Sequence, residues 1–346
     1  MLRAGRHLAV HLGGALAAVA VACAVPVLAA SLLGDRRALA LLVLALVAVA
    51  PLAFLVAFAW KVARWMRAPV PFRIPLTAGQ QRSLTSIPHS RTGSPHSFFE
   101  VMLRVLLDVL LFRPLFRTTP TAPSVGRGLA HGMDRSLWLM AAAFHGSLAV
   151  ILLRHLRLFL EPVPSFVTFL ERLDVGTEMV LPRIHATSVV LLLALLFLVG
   201  RRFVLTRVRY ISLAADYFPL FLLLGIATTG FLMRHVTRTD VGAVKQLTTS
   251  LASFTLVLPS QADTLLLMHL FLVGVLLVYF PLSKLMHMPG ALMSPTLTMA
   301  NVNRERRHIN VRNPQVEVLH YADYEATFRE RMIEAGLPVE EVHEEE

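Results

Sequence analysis

A single cysteine, Cys23, stands among 346 residues. One thiol forms no disulfide within the chain and supplies no cysteine set for an iron–sulfur cluster. No C-x-x-C-H stretch occurs either, which excludes covalently attached c-type haem. Charge is scarce as well: 16% of the residues are Asp, Glu, Lys or Arg, against about 25% in soluble domains. What fills the chain instead is apolar, 55% by count, with a mean hydropathy of +0.63. A redox centre in this chain therefore takes its ligands from side chains other than cysteine.

Crossing a bilayer as a helix takes about 20 apolar residues. Six stretches approach that length: Leu8 to Leu33, Ala38 to Trp60, Ser136 to Leu160, Ala186 to Val199, Leu213 to Met233 and Thr264 to Leu285, the fourth being short. The first follows Arg3 and Arg6 as a secretory signal does, but its core is too long for one and a second run follows at once, so a retained helix is expected. The predicted fold class is all-α, a polytopic transmembrane helical bundle of about six spans.

Basic residues near span ends fix orientation. Between Lys61 and Arg135 the sequence places eleven basic residues against three acidic ones, which predicts a cytoplasmic segment. The next connection, Glu161 to His185, has two arginines and four acids, and RRFVLTRVR after it has four arginines. The alternation predicts a multi-pass protein of the inner (cytoplasmic) membrane with both termini cytoplasmic. The net charge of +11 is thereby used on the membrane surface, and no nucleic-acid partner is expected.

Four regions follow: 1–65, two N-terminal transmembrane helices; 66–134, a cytoplasmic loop with an interfacial amphipathic helix; 135–287, a four-helix core; and 288–346, a cytoplasmic tail for partner docking. Inside the loop, FFEVMLRVLLDVLLFRP spaces Glu100, Arg104 and Asp108 four apart, one charged stripe on an apolar helix that Pro114 is expected to end. The tail carries basic NRERRHINVRN, then a helix in TFRERMIEAG ended at Gly336.

Histidines stand out. HGSLAVILLRH puts His145 and His155 ten positions apart on the third span; HLFLVGVLLVYFPLSKLMH puts His269 and His287 eighteen apart on the sixth. An ionisable ring inside a membrane helix is costly and marks function. Eighteen residues are five turns, about 27 Å, on one face; ten are about 15 Å. The two spans lie three crossings apart and run antiparallel, so His145 meets His287 toward the cytoplasm while His155 meets His269 toward the outside. Paired imidazoles on facing helices are the axial ligation of a b haem, and two haem b stacked across the membrane conduct electrons. Arg154, Arg157 and Arg234 are candidates for the haem propionates. Gly146 and Gly274 read either as room for a porphyrin edge or as close helix contacts. His235, with Arg238 and Asp240 in MRHVTRTD, is a candidate quinone site, because quinol oxidation needs a proton acceptor near the surface.

The spacing resembles the gamma subunit of respiratory nitrate reductases. RHLRLFLEPVPS, ADYFPLFLLLGIATTGFLMRH and VYFPLSKLMHMPGALMSPTLTMANVNRERRHIN are similar to the membrane cytochrome b subunit, DsrM, of the sulfite-reduction-associated Dsr complex, over most of the chain from about Arg135 onward. The resemblance implies a diheme quinone-interacting subunit in dissimilatory sulfur metabolism, using menaquinone or ubiquinone. Its implied partners are a cytoplasmic heterodisulfide-reductase-like iron–sulfur subunit, a second quinone-interacting membrane subunit, and periplasmic cytochrome c and iron–sulfur subunits. A nitrate reductase gamma subunit is the alternative. A transporter using histidines for protons or metal ions is the rival class; its best feature is Asp216 with Pro219, since no acid lies between the paired histidines.

Overall fold

The computed structural model describes residues 2–33, 36–68, 79–84, 86–117, 121–124, 128–131, 134–175, 184–253, 264–301 and 319–340. The basic NRERRHINVRN stretch lies outside them. Two long helices open the chain, α1 (Leu2–Leu33) and α2 (Arg36–Arg67). The loop that follows holds α3 (Phe98–Leu110), α4 (Arg113–Arg117) and an antiparallel hairpin of β1 (Thr121–Ser124) and β2 (Gly128–His131). Then come α5 (Arg135–His155), α6 (Ser165–Val175), α7 (Ala186–Val204), α8 (Thr206–Ile211), α9 (Ala214–His235), α10 (Val241–Ala252) and α11 (Thr264–Tyr279). Short α12 (His287–Met293) and α13 (Pro295–Thr298) precede α14 (Tyr321–Glu334), after which Gly336 adopts a left-handed φ of 68°.

The molecule is an all-α transmembrane bundle. Five helical segments are long and apolar enough to cross a membrane, Val43–Arg67, Arg135–Leu158, Ala186–Val204, Ala214–His235 and Thr264–Leu282, and the described apolar part of α1, Val10–Val25, is shorter. α1 nevertheless belongs to the core: Val19 packs with Leu222 of α9 and Leu272 of α11. Lipid removes the hydrophobic gain of helix association, so close contact must supply it. Gly274 shows how, for a Cβ there would meet Leu46 Cγ at 3.2 Å; Gly274 is a contact between α11 and α2, not room for a cofactor. Around Gly146, by contrast, a Cβ would meet nothing within 4 Å.

α9 is the hub, packed on α7, α1 and α11, while α5 lies along α7 and α11 along α2. Among the described residues α5 and α11 do not pack along each other, and the apolar clusters join each of them to other helices.

Two expectations need correction. The sixth span does not run straight to His287: α11 ends at Tyr279, 3-10 turns occupy Phe280–Leu282 and Lys284–Met286, and His287 opens α12. Pro281 removes a backbone donor and Ser283 caps the next turn through Leu285 N–H at 3.1 Å, so regular helical rise stops there. Second, α3 ends before Pro114, and its charged stripe faces inward. Arg104 is 1% exposed, whereas Phe98 and Phe99 are 70% and 81% exposed. The stripe is held by a capping box at Ser97 and Glu100, by Glu100 to His89 at 3.0 Å, and by Asp108, which accepts from Arg113 at 2.6 Å. Two backbone hydrogen bonds, to Glu100 from His96 and Ser97, help hold its carboxyl below the usual range although burial opposes this.

Candidate functional site

His145 and His287 come together with ring centroids 6.1 Å apart and planes at 83°. His145 Nδ1 lies 2.8 Å from the Ala141 carbonyl, and His287 Nδ1 lies 3.0 Å from the Lys284 carbonyl. At the other end, His155 Nδ1 lies 2.7 Å from the Ile151 carbonyl, and His155 interacts electrostatically with His269. His269 Nδ1 is 2.8 Å from Thr229 Oγ1. That hydroxyl spends its own proton on the Gly225 and Ile226 carbonyls, at 2.9 and 3.0 Å, so its oxygen accepts from the imidazole.

A carbonyl only accepts, and the Thr229 oxygen is left to accept, so in all four rings Nδ1 donates a proton and Nε2 is the nitrogen left to bind a metal. This is the ligand tautomer, fixed as metal-binding histidines usually fix it. Two metal–imidazole bonds of about 2 Å, plus half a ring on each side, span about 6 Å, the centroid separation of the His145 pair. Among the described residues no cluster of three or more His, Cys, Asp or Glu side chains forms a site for a bare metal ion. Paired imidazole nitrogens suit a metal that brings its remaining ligands with it, as iron does in a porphyrin. The donor set therefore fits haem b.

Beyond His155 lies a polar cluster that joins three helices. Arg154 pairs with Asp174 of α6, and Arg157 with Glu171 of α6 at 2.6 Å. Asp174 also accepts from Thr187 N–H at 2.8 Å and Thr187 Oγ1 at 2.6 Å. His185, only 3% exposed, holds its ring 5.4 Å from that of His235, with the planes tilted by 54°. His185 Nδ1 and His235 Nε2 are both buried with no hydrogen-bond partner. Burial, then the charges of Arg154 and Arg234, push the His185 pKa down to about 4, so the ring is neutral at pH 7.

No family model matches the chain. It is 37% identical over 268 residues to the Hdr-like menaquinol oxidoreductase cytochrome b-like subunit of Archaeoglobus fulgidus, covering 75% of this chain and 80% of that one. The corresponding subunit of Archaeoglobus profundus is 39% identical over 274 residues, 77% of this chain and 80% of that one. The chain belongs to the family of Hdr-like menaquinol oxidoreductase cytochrome b-like subunits.

Of the four histidines, the structure brings His145 and His287 into ring contact and His155 and His269 into electrostatic interaction. Among the propionate candidates, Arg154 and Arg157 are engaged with acids of α6, while Arg234 is exposed beside Arg154 and makes no ion pair among the described residues. Asp240 is not brought to His235: its carboxylate caps α10, accepting from Gly242 N–H at 2.8 Å. Sequence reasoning did not single out His185 as a site residue, and it missed Thr229, whose only signal is its place forty residues before His269 on a neighbouring span. Thr229→Val keeps the shape and removes the oxygen that fixes His269. It is expected to weaken haem retention at that end roughly 10-fold to 100-fold, read as loss of one b-haem absorbance on dilution, with the His145 pair unaffected.

Proposed function

We propose that this chain carries electrons between quinol and a protein partner through two b haems, one held by His145 and His287, the other by His155 and His269. The supporting observation is that His145 and His287 meet with ring centroids 6.1 Å apart while His155 interacts electrostatically with His269, each of the four rings directing Nδ1 to a carbonyl or hydroxyl oxygen. When bound, each haem iron supplies one-electron chemistry, cycling between ferric and ferrous. Ten residues of α5 separate His145 from His155 by about 15 Å along the helix axis.

The quinol, a menaquinol as in the relatives' name, sits in this reading at the His155 end, where the buried His185 Nδ1 and His235 Nε2 have no hydrogen-bond partner. Each quinol hydroxyl gives its proton to such a nitrogen as an electron leaves toward the His155–His269 site, and two protons and two electrons are released per quinone formed. In this reading the His145 end faces the cytoplasm with both termini. It passes electrons to or from a heterodisulfide-reductase-like iron–sulfur subunit, in the company of a second quinone-interacting membrane subunit and periplasmic cytochrome c and iron–sulfur subunits; the sulfur chemistry of a Dsr-type complex belongs to that same reading. Transport is disfavoured because Asp216 caps α9 through Leu213 N–H at 3.0 Å, pairs with Lys284 at 2.7 Å, and Pro219 leaves α9 continuous.

The purified chain is expected to show the split α band of two low-spin b haems; a spectrum without haem would overturn the proposal. Converting His185 or His235 to Gln is expected to slow reduction by quinol about 100-fold while leaving dithionite reduction of both haems unchanged. Equal quinol rates in wild type and both variants would remove the histidine pair from the mechanism.

A further inference from the structure

Phe112 is one of two described residues other than glycine with positive φ, at 50°. Phenylalanine rarely adopts this backbone, and such strain persists only where surroundings impose it. Here the surroundings are specific. On one side of it, the Leu111 carbonyl accepts from Trp138 Nε1 on α5 at 2.7 Å. On the other, Arg113 binds Asp108 at 2.6 Å and the Thr92 carbonyl at 3.1 Å. These contacts tie the end of α3 to the start of α5 and turn the Phe112 ring onto His145, with centroids 4.9 Å apart and planes tilted by 34°. Phe144 meets the same imidazole edge-on at 4.8 Å and 81°.

We infer that Phe112 is a positioning residue for His145, fixing the plane of its imidazole near perpendicular to that of His287 and covering it from water. The inference rests on His145 being a haem ligand. A lone Nδ1 hydrogen bond to Ala141 locates one atom of the ring; the flat face of Phe112 removes the remaining rotation. The angle between two axial imidazole planes governs the largest g value of a low-spin ferric haem, and the apolar cover around the ligands governs its potential. The strained loop thus sets the electronic character of one haem without touching the other.

Phe112→Gly tests this, since glycine takes positive φ freely and deletes only the ring. In the full-length chain in membranes, the largest g value of the His145–His287 haem is expected to fall and its signal to broaden. Its reduction equilibrium constant should shift about threefold or more toward the ferric form as water reaches the ligand, with the His155–His269 haem as the unchanged internal control. Phe112→Tyr keeps the stacked face and is expected to preserve the native signal, and Phe112→Leu, bulky but not flat, to lose it; this pair decides the matter if the glycine variant retains no haem. Native signals from both haems in the Gly and Leu variants, or equal shifts in both haems, would overturn the inference. Wild type lacking b haem altogether would instead overturn the ligand assignment on which it rests.

Discussion

His145→Ala is expected to leave one b haem where the native chain holds two. The substitution removes one of two axial nitrogens and little else: His145 is only partly buried, and the Ala141 carbonyl that its Nδ1 engages stays in the helix of α5. His287, exposed at the start of α12, is left as a single ligand, and loss of a coordinating side chain costs more than the 10-fold to 100-fold typical of an outer-shell partner. His155→Ala should remove the other haem. The pair of variants also orders the electron path, because their remaining haems differ in position. With quinol at the His155 end, His145→Ala keeps a haem that quinol reduces, whereas His155→Ala keeps one that only dithionite reduces quickly. Pyridine haemochrome content and stopped-flow reduction read both outcomes. Loss of the same haem in both variants, or quinol reduction surviving in His155→Ala alone, would overturn the assignment of ends.

The spacing of His145, His155, His269 and His287 was legible because it depends on period and crossing direction, which a sequence carries locally. The same holds for the apolar runs. What was not legible depends on contacts between distant segments. Asn301 Nδ2 donates to Ser94 Oγ at 2.7 Å across 207 positions, and Asn301 N–H donates to the Pro95 carbonyl at 2.8 Å. This anchorage turns the Arg104 stripe of α3 inward, a choice that helical periodicity leaves open, since an amphipathic pattern marks two faces without saying which is covered. The partners of Arg154 and Arg157 were hidden in the same way: Asp174 and Glu171 counted only as acids in a connection until α6 folded back over the end of α5. α10 escaped notice although Val244, Leu247 and Leu251 recur at helical spacing, because VGAVKQLTTSLA is too polar to register as a span. The interruption before His287 was signalled by Pro281 and Ser283, and a strict reading of helix breakers would have placed it.

Asp174→Ala is expected to be the most damaging single change outside the haem ligands. The Asp174 carboxylate, 2% exposed, answers the Arg154 guanidinium, 12% exposed. It is also the cap of a helix it does not belong to: His185, at the N-cap of α7, makes no side-chain cap hydrogen bond, and Asp174 takes the Thr187 N–H instead. Its negative charge at that helix start adds a favourable dipole interaction. Removing it strands a buried cation beside His185 and Arg234, so a loss of about 3–5 kcal/mol is expected, read as a lower midpoint of thermal unfolding in detergent. Asp174→Asn keeps an oxygen for Thr187 and should lose less. The charge also has a chemical role, because Asp174 is the group that opposes the two arginines acting on His185. Without it His185 binds a proton still less readily, and quinol oxidation slows even in protein that remains folded. A double variant separates the two effects: Arg154→Met with Asp174→Leu replaces the buried ion pair by apolar packing, which is often neutral or stabilising. Recovery of the unfolding midpoint in that variant would assign the stability loss to the stranded charge. Its quinol rate is expected to recover as well, because Arg154 and Asp174 act on His185 with opposite signs and leave together; a rate that stayed low in the restabilised double variant would overturn the electrostatic role of Asp174.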